Sequence, residues 1–308
     1  MNKTIKNKLL SIALLLLIAI IWGFAFVAQA SAGELGPLSF TGMRFCLGAL
    51  VVLPVALIFE KETKDKTRSA HTLWYGIVSG VALFLACFSQ HCGIEITQSA
   101  GKSGFITAFY TVLVPIASCI LYRQRKGINV WLGAILAMVG LFLLGVNEAF
   151  TVGIGEILLF ICACLWTAQI MIVDVGLKKG VSPLKFSMIQ FFTCGVIGTL
   201  LGLVFEPESF TASAIKGGLI PLLYAGVMSV GVAFTLQVVA QKRSDPSTAA
   251  IVLSTESLFA AIGGAIILHE RMTARGYVGC ALMFIGILLS QTDVSALIKK
   301  RKTKEVGQ

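Results

Sequence analysis

The feature that most constrains this chain is a series of apolar runs, each about 20 residues long, that recurs along its whole length. Ten can be drawn, at about 9–31, 37–59, 72–93, 98–122, 128–146, 152–174, 183–204, 217–240, 246–268 and 275–292. Such runs read as helices that span a bilayer. The loops between them are short, so no soluble domain fits anywhere. Charged residues make up 13% of the 308, against about 25% in a soluble domain. The expected fold class is an all-α integral membrane protein of ten transmembrane helices. The first run follows Lys3, Lys6 and Lys8 and could mimic a secretory signal. It is long for that, and its cleavage would discard part of a repeat described below, so we read it as a retained helix.

A net charge of +10 invites a nucleic-acid reading, but the distribution argues against one. With the N-terminus placed in the cytoplasm, twenty of the 25 Lys and Arg fall in inside segments, and Lys102, Lys216, Arg271 and Arg275 fall outside or near it. This is the positive-inside bias of an inner or plasma membrane protein with both termini cytoplasmic. Residues 293–308 read as a basic cytoplasmic tail that anchors topology or meets anionic lipid. All eight cysteines lie within apolar runs and read as small buried hydrophobes. Cys162 and Cys164 are about 200° apart on a helix and cannot share a metal. There is no zinc spacing, phosphate-cradling glycine loop or nucleophile elbow, so no cofactor and no enzyme activity are expected.

The chain repeats at an offset of 146 residues. Pro37, Phe40 and Phe45 match Pro183, Phe186 and Phe191; Gly133, Leu136 and Gly140 match Gly279, Leu282 and Gly286. Trp22 and Trp166 match after a two-residue gap. The halves are expected at 9–146 and 152–292, with five spans each. An odd number of spans makes the second half enter from the opposite side, giving an inverted repeat. The basic loop 123–127 against the mixed "HERMTAR" at 269–275 agrees with that.

"AIIWGFAFVAQ", "GPLSFTGMRF", "SAGKSGFITAFYTVLVPI" and "ILHERMTARGYVGCALMFIGILL", in that order, resemble the EamA-type family of the drug/metabolite transporter superfamily over roughly residues 9–292. The resemblance implies ten helices with cytoplasmic ends. It also implies a carrier of amino acids, other small metabolites or toxic compounds, commonly an exporter. In one respect the chain departs: proline often follows the glutamate of helix nine, and here Ser257 stands there.

Glu256 lies ten residues into the ninth run, about 15 Å deep in a ~30 Å hydrocarbon layer. An acid there should face the bundle interior. Ala249, Ala260 and Gly263 would share its helix face, for close packing or for ligand space. Arg44 lies about 10 Å into the second run and needs an anion or a wet cavity. It either pairs with Glu256 or clamps a substrate carboxylate; its repeat counterpart is neutral Gln190. Tyr110 is the counterpart of Glu256 and could share its proton or a ligand hydroxyl. Lys102, at the start of the fourth run, either snorkels outward or lines an outer vestibule. Trp22 and Trp166 sit near mid-span instead of at an interface. With Phe26, Gln29 and Gln169 they form stripes that suit helix packing or a small organic ligand. His91, Glu95 and Gln98 read as a solvated cluster at the outer mouth.

The expected function is secondary transport of a small polar or amphipathic metabolite by alternating access. The expected partners are that substrate, membrane lipid and a coupling proton or ion, with no nucleic acid, in a monomer or homodimer. A nucleotide-sugar or phosphate-ester carrier would need more inward-facing cations than Arg44 and Lys102. A non-transporting scaffold would leave Arg44 and Glu256 without a ligand.

Overall fold

The computed structural model describes residues 3–60, 65–97, 100–145, 153–267 and 274–291, and among them there are helices and no strands. The first half runs α1 (Lys3–Ala30), α2 (Pro37–Phe59), α3 (Lys66–Thr97), α4 (Ala100–Thr107), α5 (Tyr110–Tyr122) and α6 (Ile128–Gly145). The second continues with α7 (Ile154–Lys178), α8 (Pro183–Phe205), α9 (Ala212–Gly217), α10 (Leu219–Leu223), a π-helix (Tyr224–Phe234) and α11 (Thr235–Gln241). It closes with α12 (Pro246–Leu253), α13 (Glu256–Ile267) and α14 (Ala274–Gln291). Among the described residues, six helical stretches are long and apolar enough to cross a membrane: Leu9–Gln29, α2, α3, α7, α8 and Leu219–Gln241. Tyr110–Tyr122, Ile128–Leu143 and Ala274–Ser290 are shorter and apolar. The basic tail at 293–308 and most of the 269–275 loop, with Arg271, lie outside the described residues.

The surface inverts the rule for soluble proteins. Leu57, Ile58 and Phe59 at the end of α2, Val204 and Phe205 at the end of α8, and Ile220 are all exposed. Inside lie Ser79, Gln90, Gln169, Gln190 and Gln237, all buried. An apolar exterior with polar side chains kept between helices is what lipid selects, because polar groups find partners only there. Ser79 donates to Gln190 at 2.8 Å and so joins α3 to α8.

Of the helix pairs that join the halves, two bring a helix against its own repeat counterpart: α2 lies along α8, and α6 along α14. Each joins a helix to its counterpart 146 residues on. The second seam is close because glycine faces glycine. A Cβ placed on Gly133 would lie 2.7 Å from the Gly286 carbonyl oxygen, and one on Gly286 would lie 2.7 Å from that of Gly133. Backbone rather than side chain blocks both positions, so only glycine allows this approach.

The first seam is tied at its ends. Pro37 and Pro183 open α2 and α8, where a missing N–H costs nothing and φ is preset. The next two N–H groups of each helix are orphans that need acceptors. Leu38 and Ser39 donate to Oε1 and Oε2 of Glu206, at 3.0 and 2.8 Å. Leu184 and Lys185 donate to Oε1 and Oε2 of Glu60, both at 3.0 Å. Glu60 follows the last residue of α2 and Glu206 the last residue of α8, so each helix ends by capping the start of the other.

Two of the apolar runs are not single helices. The fourth breaks at Ala108 and Phe109 and the ninth at Ser254 and Thr255, positions that the 146-residue offset superposes. Backbone bonds tighten to i−3 at both: Phe109 N–H to Ile106 O (3.1 Å) and Thr255 N–H to Val252 O (3.2 Å). In the ninth run the Thr255 hydroxyl also donates to Val252 O (2.6 Å) and the Ser254 hydroxyl to Ile251 O (2.9 Å), which competes with the helical ladder. A break therefore forms without proline at 257. It also takes Ala249 off the helix of Glu256, since Ala249 lies in α12.

Candidate functional site

The two breaks meet. Tyr110 is the first residue of α5 and Glu256 the first of α13. The Tyr110 hydroxyl donates to Glu256 Oε1 at 3.3 Å, across a sequence separation of 146. Both side chains are buried, at 3% and 8% exposure. As the leading residue of α13, the Glu256 carboxylate also stands at the positive end of a helix.

Around this pair is a partly open cavity; the empty space within its lining, open solvent included, is about 510 Å³. One wall is aromatic. Trp22 of α1 and Phe234 at the end of the π-helix have ring centroids 4.5 Å apart, and Trp166 of α7 lies nearly parallel to Phe234 at 5.7 Å and 10°. The Trp22 indole N–H donates to the Ser229 carbonyl, 3.3 Å away in the π-helix. A π-helix loosens the regular i−4 ladder, and here it lends a backbone acceptor to the wall.

The same lining carries a charge. Arg44 of α2 lines the cavity at 4% exposure. Its guanidinium carbon lies 5.2 Å from the centroid of Phe45 and 5.5 Å from that of Phe40. No ion pair joins it to Glu256 or to another carboxylate among the described residues. Its Nε has no hydrogen-bond partner. The alternative in which Arg44 serves as fixed counter-ion of Glu256 is therefore not what the fold builds. Gln90 of α3 and Gln29 of α1 add neutral polar lining.

Seven residues singled out from the sequence, Trp22, Phe26, Gln29, Arg44, Tyr110, Trp166 and Glu256, thus surround one cavity. Gln169 is fully buried behind it and accepts a 3.4 Å hydrogen bond from Gln237, which does line it. Lys102 belongs to α4, and its side chain lies outside the described ones. The small-residue stripe after Glu256 serves packing: a Cβ on Gly23 of α1 would lie 2.7 Å from the Ala260 nitrogen, and one on Gly263 would lie 3.2 Å from the Phe24 ring. His91 corrects the reading of a solvated mouth. It is buried within α3, edge-on to Phe40, with Nδ1 unpartnered and Nε2 4.0 Å from Glu95. Gln98 is outside the described residues. Sequence reading missed Gln90, Phe234 and Gln237. Of these, Phe234 had no signal, because a π-helix shifts the face on which its residues point.

The profile of the EamA-like transporter family matches residues 9–146 and again 153–292. An "Uncharacterized transporter" of Archaeoglobus fulgidus is 29% identical over 276 residues, 89% of this chain and 83% of that one. "Uncharacterized transporter YoaV" of Bacillus subtilis is 22% identical, over 89% of this chain and 94% of its own. "Protein WALLS ARE THIN 1" of Arabidopsis thaliana is 25% identical over 86% of this chain and 78% of its own. A solved crystal structure shares the fold at a TM-score of 0.77 and 17% identity, covering 91% of this chain and 96% of that one.

Proposed function

Because the chain belongs to the EamA-like transporter family, we propose that it is a secondary transporter that exports a small metabolite by alternating access through this cavity. The observation that carries the reading is the Tyr110–Glu256 hydrogen bond, which links two repeat-related helix breaks inside the cavity. Broken helices at the meeting of two repeats are where carriers place substrate and coupling sites, because the freed backbone and polar side chains serve a ligand there. Trp22, Trp166 and Tyr110 line the passage for substrate, Gln169 positions Gln237, and Glu256 exchanges a coupling proton or touches the ligand. In the same reading Lys102 stands at the outer vestibule. With a single cation among the described lining residues, a phosphate-ester cargo is disfavoured.

The test is an uptake screen in proteoliposomes over amino acids, amines and aryl carboxylates, with and without a pH gradient. Saturable flux of at least one class is expected. Flux no faster than in empty liposomes for every class sinks the reading in favour of a scaffold.

The architecture that goes with it is ten spans in two inverted five-helix halves, 9–146 and 152–292, with both termini cytoplasmic in an inner or plasma membrane. The contacts in its favour are symmetric: α1 packs on α12 and α13, and α7 packs on their counterparts α4 and α5. In a cysteine-free background, single cysteines at exposed Glu208, near Glu206, and in the tail check this orientation. The first should label from outside only and the second from the cytoplasm only; the reverse pattern overturns it.

A further inference from the structure

We propose that Arg44, in the cavity lining, binds the carboxylate of a small organic monoanion whose aryl ring lies against the Trp22–Trp166–Phe234 wall. This rests on reading the cavity as the substrate site, and it names the class of substrate.

Three observations lead there. First, Arg44 is a permanent cation, 96% buried by its 4% exposure, that faces the cavity. Its Nε lacks a partner, and no carboxylate pairs with it among the described residues. Its near neighbours are the rings of Phe40 and Phe45 and the Cys87 thiol. Two rings steady the guanidinium without neutralising it, so the charge waits for an anion. Glu256, in the same cavity, is engaged by Tyr110 instead.

Second, the number of charges selects the ligand. One cation among the described lining residues matches one negative charge, and a planar guanidinium fork matches a carboxylate with two parallel hydrogen bonds. Gln90, also in the lining, supplies a neutral amide as a further contact.

Third, the body of the ligand must suit the wall. Trp22, Phe234 and Trp166 touch in sequence, at 4.5 and 5.7 Å, and make one continuous apolar surface. A flat ring gains both area and favourable ring geometry on such a surface, which a short aliphatic acid does not.

The experiment measures binding by calorimetry to the full chain in nanodiscs of zwitterionic lipid. The probes are 3-phenylpropanoate, its neutral amide, ring-less propanoate, 2-phenylethylammonium and inorganic phosphate. The acid should bind at least about tenfold more tightly than the amide or propanoate, since a buried charged contact and a ring contact are each removed. Arg44→Gln should abolish the preference for acid over amide, and Arg44→Lys should retain part of it. An amide, amine, propanoate or phosphate that binds as well as the acid overturns the proposal, as does an Arg44→Gln variant that keeps the preference. The wild-type comparison decides the matter even where Arg44→Gln fails to fold. The transporter reading fails separately. Phenylpropanoate that binds but is never moved leaves the site standing without transport. Saturable amine flux with no acid binding leaves transport standing without this site.

Discussion

Glu256→Gln is expected to reduce gradient-driven accumulation to passive equilibration while leaving the protein folded and able to exchange substrate across a membrane without a gradient. Glutamine keeps the shape and the carbonyl oxygen that the Tyr110 hydroxyl meets at 3.3 Å, and removes only the titration. The loss of stability should stay near or below about 1 kcal/mol, the net value of one hydrogen bond that the variant largely retains. The loss of function should be far larger. A carrier that moves one proton with each substrate concentrates it about tenfold per imposed pH unit, because one unit is 1.36 kcal/mol. Without the proton the ratio falls to one. The measurement is accumulation at a one-unit pH gradient, beside counterflow at equal pH, for whichever solute the uptake screen yields. A Gln variant that accumulates as the parent does, with the same pH sensitivity, removes Glu256 from coupling. A variant that melts early but transports normally makes it a structural acid.

The chain displays in its sequence what depends on periodicity and leaves hidden what depends on competition between bonds. Apolar runs gave helices because lipid offers the backbone no other partner. The 146-residue offset placed Tyr110 and Glu256 at equivalent positions, and their hydrogen bond follows once the halves face each other. The breaks before them were not legible. Both carry i−3 bonds, and at Ser254 and Thr255 two hydroxyls also compete with the regular ladder; hydropathy is blind to that. The π-helix from Tyr224 to Phe234 was hidden as well, and with it the place of Phe234 in the wall. His91 was misread because a polar residue near a run's end looks solvated, whereas α3 continues to Thr97 and keeps His91 inside. Glu60 and Glu206 went unremarked although the same offset joins them. Each stands just beyond an apolar run, where a charge passes for a loop residue.

Those two glutamates carry the largest stability effect expected outside the cavity. Each carboxylate takes two backbone N–H groups at the start of the other half's helix, with distances from 2.8 to 3.0 Å. Glu206→Ala leaves Leu38 and Ser39 without these acceptors and removes a negative charge from the positive end of α2; Glu60→Ala does the same to α8. Caps of this kind are worth about 0.5–2 kcal/mol, and a charged acceptor lies toward the upper end. Both glutamates are half-exposed, so solvent screening holds the expectation to about 1–2 kcal/mol each. The double variant should lose about the sum, because the two caps are separated by the length of α2, 23 residues or about 34 Å. Glutamine at either site keeps one acceptor oxygen and should recover about half the loss. Melting of the purified protein in mild detergent reads this out, with the double variant several degrees below each single one. Single and double alanine variants that melt with the parent would mean that water or neighbouring hydroxyls satisfy the four N–H groups, and that burial along the seam alone holds α2 to α8.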